Sequence, residues 1–253
     1  MASRRPDAKQ PDSPGATRSR IAAERSIRCL SRYENAARER GFQAIAGVDE
    51  VGRGALFGPV FAAAVILNPE RGVRGLKDSK ILEREAREDL AREIKQKSIA
   101  WAVGAADAFE IDQINIYQAS RIAMKRAVEA LAVRPDFLLI DALRIDLAIE
   151  QEPLIDGDAR CRAIAAASIV AKVARDECMD HWQKIFPQYG LSHNKGYSTP
   201  HHKKALREQG PTWLHRFSFE PVRLSSPEKW WNGYEGGWTQ QELFAAAGTE
   251  APE

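Results

Sequence analysis

The chain of 253 residues has few cysteines and little net charge. It also lacks a long apolar run, and the shortages of cysteine and of apolar runs each exclude a class of protein. The three cysteines, Cys29, Cys161 and Cys178, are an odd number without metal-ligand spacing, which indicates reduced thiols rather than disulfides or a zinc site. No apolar run approaches the roughly 20 residues that cross a bilayer, and the N-terminus lacks the apolar segment of a signal peptide. We therefore expect a soluble, cytoplasmic protein that does not act at a membrane.

The formal net charge of +2 hides an uneven distribution along the chain. The first 40 residues contain 10 Lys or Arg and 5 Asp or Glu, which leaves 27 and 30 for the rest. A slightly acidic domain can still bind nucleic acid through a local basic patch. The charge therefore neither requires nor forbids such a partner.

Composition divides the chain into three parts. Residues 1–19 are rich in Arg, Pro and Ser and have almost no apolar residues, so we expect a disordered basic tail. Residues 20–222 carry the apolar runs of one large domain. Residues 223–253 are rich in aromatic residues and glycine, including Trp230, Trp231 and Trp238, and predict a weakly ordered extension.

Strands and helices alternate through the central part. Buried strands are predicted at 44–51 and 59–67, joined through a glycine-rich corner, and further strands at 98–106 and 137–141. Helices are predicted at 20–40, 83–97, 116–132 and 163–176, with a short helix after Pro200 and an uncertain strand near 153–155. This alternation predicts an α/β domain with a partly parallel sheet, in which ligands bind near the carboxyl ends of strands.

Carboxylates stand at or after the ends of apolar runs. Asp49 and Glu50 close the first run, Asp141 closes the strand at 137–141, and Asp158 follows Gly157. Carboxylate oxygens are the ligands of Mg²⁺, and two such ions catalyse phosphodiester hydrolysis in many enzymes. Because neighbouring residues of a regular strand point to opposite faces, Asp49 and Glu50 should share a site only if the backbone turns there. A surface acidic pair is the alternative interpretation.

Several polar residues suit a phosphate or sugar ligand. Arg53 lies between Gly52 and Gly54, where a guanidinium and an exposed backbone can approach a phosphate closely; a simple β-turn is the alternative. Tyr197 is either a stacking platform for a sugar or base, or a core residue. Five further residues are either phosphate contacts or solvated polar groups: Lys77, Ser79, Lys80, Ser168 and Lys172.

Taken in this order, the motifs resemble those of ribonuclease HII, the type 2 ribonuclease H. The resemblance spans about residues 44–222. It is carried by 47–54 (GVDEVGRG), 58–60 (GPV), 76–80 (LKDSK), 140–141 (ID), 157–158 (GD), the helix over 165–176, 195–202 (KGYSTPHH) and 218–222 (SFEPV). Several motifs in the order of one family are more specific than any one of them.

The resemblance implies a ribonuclease H-like fold, with a mixed sheet flanked by helices and a small helical C-terminal part, over residues 20–222. It implies an endonuclease that requires Mg²⁺ or Mn²⁺ and hydrolyses the RNA strand of RNA–DNA hybrids. It also implies cleavage on the 5′ side of single ribonucleotides embedded in duplex DNA, which leaves 3′-hydroxyl and 5′-phosphate ends. The expected partners are these nucleic acids, and the expected state is a monomer.

The resemblance also assigns residues. The family's metal-binding carboxylates correspond to Asp49, Glu50, Asp141 and Asp158. The loop that reads the ribose 2′-hydroxyl corresponds to Gly52, Arg53 and Gly54, and the aromatic residue that stacks on the adjoining deoxyribose to Tyr197. Expected phosphate contacts are Lys80, Ser168 and Lys172, whereas Asp176 matches a family residue to which we give a structural role.

Three positions depart from the usual motifs: Val51 replaces alanine, Ala142 replaces glycine and Asp156 replaces lysine. Asp156 adds negative charge near Asp158, which should weaken metal binding there. Two other functions compete with the nuclease. A catalytically silent nucleic-acid-binding protein would be expected to lack a carboxylate, and all four are present. A different phosphoryl-transfer enzyme would not explain the Gly-Arg-Gly loop together with Tyr197.

Overall fold

The computed structural model describes residues 29–76, 79 and 82–225. The tail predicted at 1–19 and most of the extension predicted at 223–253 lie outside these residues, as do Lys77 and Lys80. No helix in the part of the chain that is described is both long enough and apolar enough to span a bilayer.

Five strands form one mixed sheet, as the sequence predicts. They are β1 (Ile45–Val51), β2 (Val60–Ile66), β3 (Ala100–Ala106), β4 (Phe137–Asp141) and β5 (Glu150–Leu154), and their order in the sheet is β3-β2-β1-β4-β5. The first three strands are antiparallel neighbours, whereas β4 and β5 run parallel to β1. The carboxyl ends of β1 and β4 therefore lie at the same edge of the sheet.

Helices flank the sheet on both faces. They are α1 (Arg32–Glu39), α2 (Arg84–Lys97), α3 (Ala108–Glu129), α4 (Gly157–Arg160), α5 (Arg162–Ile185), α6 (Leu191–Asn194), α7 (Pro200–Gln209) and α8 (Glu220–Arg223), with a 3₁₀ turn at Pro187–Tyr189. The side chains of β2 alternate between two cores. Phe61, Ala63 and Val65 pack in the core that contains α5, and the intervening residues pack in the core that contains α3.

Helix α3 begins earlier than the predicted start at 116 because it consists of two helical segments. Asp107 caps the first segment through a capping box with Glu110. Asn115 then interrupts the helix with a φ of 68°. Its side-chain oxygen accepts hydrogen bonds from the backbone of Tyr117 and Gln118, which caps the second segment.

Helix α5 approaches the centre of the sheet so closely that β1 needs a glycine at the contact. A Cβ atom on Gly47 would lie 2.0 Å from the carbonyl carbon of Ala163. The alanine-rich start of α5 is buried here, and the small side chains on both elements bring the two backbones together. This close packing places the middle of α5 beside the carboxyl end of β1.

The small helical C-terminal part packs on the corner between β1 and β2. Isolated bridges join Ala55 to Tyr197 and Phe57 to His215. The backbone of Leu56 extends this pairing on both sides, because its N–H donates to Gly196 (2.8 Å) and its carbonyl accepts from Arg216 (2.9 Å). The corner that follows Asp49 and Glu50 is thus held by residues 140 or more positions further along the chain.

Candidate active site

Three of the predicted carboxylates meet at one edge of the sheet. Asp49, Glu50 and Asp141 each offer an oxygen, and these oxygens all lie within 4.8 Å of one another. The strand register explains the meeting, because Val48 pairs with Ile140 in the parallel β1–β4 ladder and the next residue of each strand is an aspartate. The cluster is the natural location for a ligand at the carboxyl ends of parallel strands.

The expectation that the backbone must turn between Asp49 and Glu50 is wrong. Both residues remain in β1, paired with Ala63 and Ala62 of β2, and the left-handed residue is Gly52 with a φ of 94°. The oxygens still converge because the two residues lie close to the end of the strand, where the longer side chain of Glu50 reaches the cluster. The Asp49 carboxylate also accepts a hydrogen bond from the backbone N–H of Glu50 at 2.8 Å.

Burial and mutual repulsion act on the acidic cluster. Asp49 is only 5% exposed, and this burial, followed by the charges of Glu50 and Asp141, raises its pKa well above the usual value. Burial is also the largest cause that raises the pKa of Glu50, against which the nearby Arg53 acts. The Arg53 guanidinium lies 3.2 Å from a Glu50 oxygen. The cluster is therefore a site where a bound cation relieves an electrostatic cost.

The fourth carboxylate lies near the cluster but outside its closest group. Asp158 is buried in α4, and its charge is among the causes that raise the pKa of Asp49. Helix α4 is tied to the cluster by Gly157, whose backbone N–H donates to Asp141 at 2.8 Å. Asp156 is exposed, so water surrounds the extra negative charge at this position. Ala142 has a φ of 51°, a left-handed conformation that suits the glycine it replaces.

Serine hydroxyls form a buried line behind Asp49. Ser168 of α5 is hydrogen-bonded to the Asp49 carboxylate, an interaction that lowers the pKa of Asp49. The Ser168 hydroxyl also lies 2.9 Å from that of Ser79, and both residues are buried. The structure thus places Ser168 against the acidic cluster rather than on an open surface.

Lys172 lies one turn further along α5 and is paired with a carboxylate. Its ammonium contacts Asp176, which also binds Arg87 at 3.3 Å. Burial is the main cause that lowers the pKa of Lys172. Asp176 is buried between these two cations, which agrees with the structural role expected for it.

The Gly-Arg-Gly loop and Tyr197 lie side by side. A Cβ atom added to Gly54 would be 3.9 Å from the Tyr197 ring, and that ring belongs to a residue that is 37% exposed. Gly52 has no room for a side chain, since its Cβ would lie 2.1 Å from Nε of Arg175. The two predicted recognition elements therefore form one continuous surface.

Two buried arginines support this surface, and sequence reasoning gave neither of them a role. Arg175 donates to the carbonyl of Lys195 at 2.8 Å, and Arg216 donates to the carbonyls of Gly58 and Arg53 at 2.9 and 2.8 Å. Burial lowers the pKa of both guanidinium groups, that of Arg216 to about 9. The only signal in the sequence was an arginine within the apolar face of a helix and another beside aromatic residues.

A mixed sheet that brings carboxylates together at adjacent strand ends defines a nuclease of the ribonuclease H-like class. A family model described as Ribonuclease HII matches residues 46–222, so the chain belongs to the ribonuclease HII family. The protein called Ribonuclease HII from Solibacter usitatus is 60% identical over 206 residues, which cover 81% of this chain and 90% of that protein. The one from Koribacter versatilis is 53% identical over 211 residues, 83% of each chain.

Solved structures agree on the fold. The ribonuclease H2 from Pyrococcus horikoshii aligns with a TM-score of 0.63 at 23% identity, over 76% of this chain and all of the other. A ribonuclease HIII solved in complex with Mn²⁺ aligns with a TM-score of 0.55 at 21% identity, over 75% of this chain and 71% of the other. The ribonuclease H-like fold predicted from the sequence is confirmed.

The membership of the family settles the class of reaction. The chain is an endoribonuclease that hydrolyses the RNA strand of RNA–DNA hybrids and nicks duplex DNA at embedded ribonucleotides, as the sequence predicts. Enzymes of the ribonuclease H family depend on divalent metal ions, and the acidic cluster of this chain fits that requirement.

Proposed function

We propose that Asp49, Glu50, Asp141 and Asp158 hold Mg²⁺ or Mn²⁺ and that hydrolysis takes place at these carboxylates. The observation that carries the proposal is the meeting of three carboxylate oxygens within 4.8 Å, in surroundings that raise the pKa of Asp49 and Glu50. Oxygen ligands of this kind fit a hard divalent cation, which removes their mutual repulsion. When bound, such ions activate the attacking water and stabilise the leaving oxygen of the phosphodiester.

The chain's own residues fix the orientation of the carboxylates. The Ser168 hydroxyl of α5 is hydrogen-bonded to the Asp49 carboxylate, and the backbone N–H of Gly157 in α4 donates to the Asp141 carboxylate. Because both groups are supplied by helices packed on the sheet, the carboxylates are oriented before any ion arrives. We assign Ser168 this orienting role, since its buried hydroxyl already faces Asp49 and Ser79.

We further propose that Gly52, Arg53, Gly54 and Tyr197 recognise the junction between a ribonucleotide and the following deoxyribonucleotide. The carbonyl of Arg53 is held by the buried Arg216. In a trans peptide the next N–H points away from that carbonyl, so the N–H of Gly54 faces the opposite, outer side. A backbone N–H there suits the ribose 2′-hydroxyl, and the adjacent exposed ring of Tyr197 suits a sugar face.

Contacts with the substrate backbone belong to the same proposal. Lys172 lies on α5, the helix that borders the cluster, and its ion pair with Asp176 fixes the position of its ammonium group. Lys80 lies outside the described residues, and we propose from the motif alone that it contacts a phosphate of the substrate.

We also propose a monomer that works in the cytoplasm. Its cysteines, which form no disulfide among the described residues, fit that compartment, and light scattering after gel filtration tests the monomer.

The test of the proposed function is cleavage of a duplex that contains one ribonucleotide, with Mg²⁺, with Mn²⁺ and with a chelator. We expect a single nick on the 5′ side of the ribonucleotide that depends on the metal. Tyr197→Ala should reduce this cleavage about 5- to 150-fold more than cleavage within a long hybrid, which corresponds to the roughly 1–3 kcal/mol of one stacking contact. Tyr197→Phe, which keeps the ring, is the matched control.

Two results would contradict the proposal. Cleavage that survives complete chelation would remove the carboxylate cluster from the mechanism. An equal loss on both substrates for Tyr197→Ala would show that Tyr197 does not read the junction.

A further inference from the structure

Two histidines that the active site does not use are buried behind Tyr197. His202 lies on α7 and His215 follows it in the next loop, and both side chains are fully buried. Their Nε2 atoms are 3.1 Å apart, within hydrogen-bond distance. A histidine pair of this kind is stable only when one nitrogen carries the proton and the other accepts it.

The neighbouring hydrogen bonds fix which nitrogen carries each proton. The backbone N–H of Thr212 donates to Nδ1 of His215 at 2.9 Å, so the proton of His215 sits on Nε2. His215 therefore donates to Nε2 of His202, whose own proton must sit on Nδ1. That Nδ1 is 3.0 Å from the carbonyl oxygen of Tyr197. The three donations run in one direction, from Thr212 through His215 and His202 to Tyr197.

The surroundings keep this chain of hydrogen bonds neutral. The His215 ring lies between Phe57 and Tyr189, with ring centroids 4.9 and 4.7 Å away. Burial is the largest cause that lowers the pKa of both histidines; the charge of His201 also lowers the pKa of His202, and the charge of His202 lowers the pKa of His215. The neutral form of His202 matters because a protonated His202 would carry a hydrogen on Nε2, the atom that must accept the hydrogen bond from His215.

The last acceptor in this series of hydrogen bonds is the carbonyl oxygen of Tyr197, the residue that we assign to junction recognition. The Tyr197 ring is partly exposed and has the Arg175 guanidinium 5.3 Å from its centroid, and its backbone bridges to Ala55 of the corner that contains the Gly-Arg-Gly loop. Its carbonyl accepts from His202 and also from the N–H of Thr199 at 2.8 Å. The histidine pair thus connects the loop at 197 with the loop at 215, and both loops pair with residues 55–57.

We infer that His202 and His215 are positioning residues, which hold Tyr197 against the Gly-Arg-Gly loop and thereby set the preference for junctions over uniform hybrid. The inference rests on the proposed role of Tyr197. A long hybrid can be cleaved with the ring displaced, because its RNA strand offers no deoxyribose for the ring to select. Cleavage at a single embedded ribonucleotide requires the Tyr197 ring at one fixed position, so a small displacement of the ring lowers the rate.

The experiment compares kcat/KM on two substrates, a duplex with one ribonucleotide and a long RNA–DNA hybrid. His202→Leu removes both ring nitrogens at similar volume and should lower the ratio of the two values about three- to tenfold, as expected for one lost neutral hydrogen bond. His202→Asn retains an amide N–H close to the place of Nδ1 and should restore part of the ratio. The exposed neighbour His201→Asn is the matched control and should leave the ratio unchanged.

A double variant separates positioning from a general loss of structure. In the Tyr197→Ala background, His202→Leu should leave the ratio unchanged, because the group through which His202 acts is gone. A variant that merely unfolds more easily lowers the active fraction for both substrates equally, and such an equal loss for His202→Leu would overturn the inference. A further fall of the ratio in the Tyr197→Ala background would also overturn it.

A second measurement needs no variant. Long-range proton–nitrogen correlation spectra of the histidine-labelled protein at neutral pH should show His202 protonated on Nδ1 and His215 on Nε2. His202 protonated on Nε2 would overturn the inference. If the unsubstituted protein cleaves neither substrate, or if Tyr197→Ala alone leaves the ratio unchanged, the proposed function fails rather than the role of the histidines.

Discussion

Asp49 is buried beside other carboxylates. Burial and the repulsion of these neighbours both make its ionised form unfavourable in the metal-free protein. Its pKa in the fold is raised above 3.8, the value of an exposed aspartate. A carboxyl group with a raised pKa contributes stability below its unfolded pKa, and that contribution is lost as the pH rises through the folded pKa. Wherever Asp49 is ionised, the metal-free fold therefore holds unfavourable negative charge that a divalent cation would neutralise.

Asp49→Asn should abolish cleavage and also remove the stabilisation that Mg²⁺ gives. We expect a fall in kcat of at least about 100-fold, since a metal site supplies several kcal/mol of stabilisation to the transition state. The metal-free variant should melt at the same temperature as the parent or higher, because a buried charge is gone. Thermal melting over a series of Mg²⁺ concentrations, together with a cleavage assay, measures both effects.

The exposed Asp146→Asn is the control for Asp49→Asn, and it should keep both the cleavage and the response to Mg²⁺. An Asp49→Asn protein that Mg²⁺ stabilises as strongly as the parent would exclude Asp49 as a ligand.

Individual residues differ in how far the sequence predicts their place. The meeting of Asp49 with Asp141 follows from two apolar strands that end on aspartates, because adjacent parallel strands end at the same edge. The burial of Arg175 and Arg216 does not follow, since each guanidinium binds carbonyls of a distant loop. A side chain whose partner is a backbone group far along the chain leaves no pattern that identifies that partner.

Helix α5 and strand β1 form the closest contact between elements that shapes the site. Gly47→Ala should destabilise the fold by about 1–3 kcal/mol or more, because the new methyl group meets the backbone of Ala163 rather than a side chain that can move. It should also reduce cleavage in the folded protein, since a displaced α5 carries Ser168 away from Asp49. Urea unfolding and kcat under folding conditions measure the two effects.

Gly72→Ala is a matched control for Gly47→Ala, because a Cβ at Gly72 meets nothing within 4 Å. Unchanged stability of Gly47→Ala would show that the sheet accommodates a wider separation from α5.

Most elements could be predicted, and the exceptions have physical reasons. The first half of α3 went unpredicted although Asp107 and Glu110 form a capping box, because Asn115 hides the continuity of the helix. Strand β5 begins at Glu150 rather than at 153, since its first three residues are polar and carry no apolar alternation. It forms only because the backbone of β4 offers an unpaired edge.

The stability of the whole molecule should fall in acid because of the buried histidine pair. The folded pKa values of His202 and His215 lie below 6.5, the value of an exposed histidine. The stability that they contribute is therefore present above about pH 6.5 and is lost as the pH falls toward the folded pKa, by up to about 1.4 kcal/mol per pH unit for each group. Phe57 and Tyr189 face the pair, and His201 adds positive charge.

Urea unfolding measures this contribution when it is done on the parent and on His202→Leu between pH 7.5 and 5, in steps of about half a pH unit. The difference in unfolding free energy between the two proteins isolates the contribution of His202, together with its effect on His215, from that of the active-site carboxylates, which has the opposite sign. We expect this difference to shrink as the pH falls. A difference that stays constant would show that the protonation of His202 does not change on unfolding.

At the scale of the whole chain, the order of the motifs carried more information than any single motif. It predicted the family and the reaction, both of which the comparisons confirm. The limits of the domain at 20 and 222, and the nature of the two tails, stay predictions because most of those residues lie outside the described part. The oligomeric state also stays a prediction, since composition does not reveal the shape of a surface.

The strand order has a consequence for synthesis on the ribosome. β1 pairs with β2 as soon as both emerge, but its other side waits for β4, which begins at Phe137. At translation rates of about 5–20 residues per second, the nascent chain carries this unpaired apolar strand for on the order of ten seconds. During that interval one edge of β1 stays unpaired, and Asp49 and Glu50 remain in water until the later half of the polypeptide arrives to enclose them.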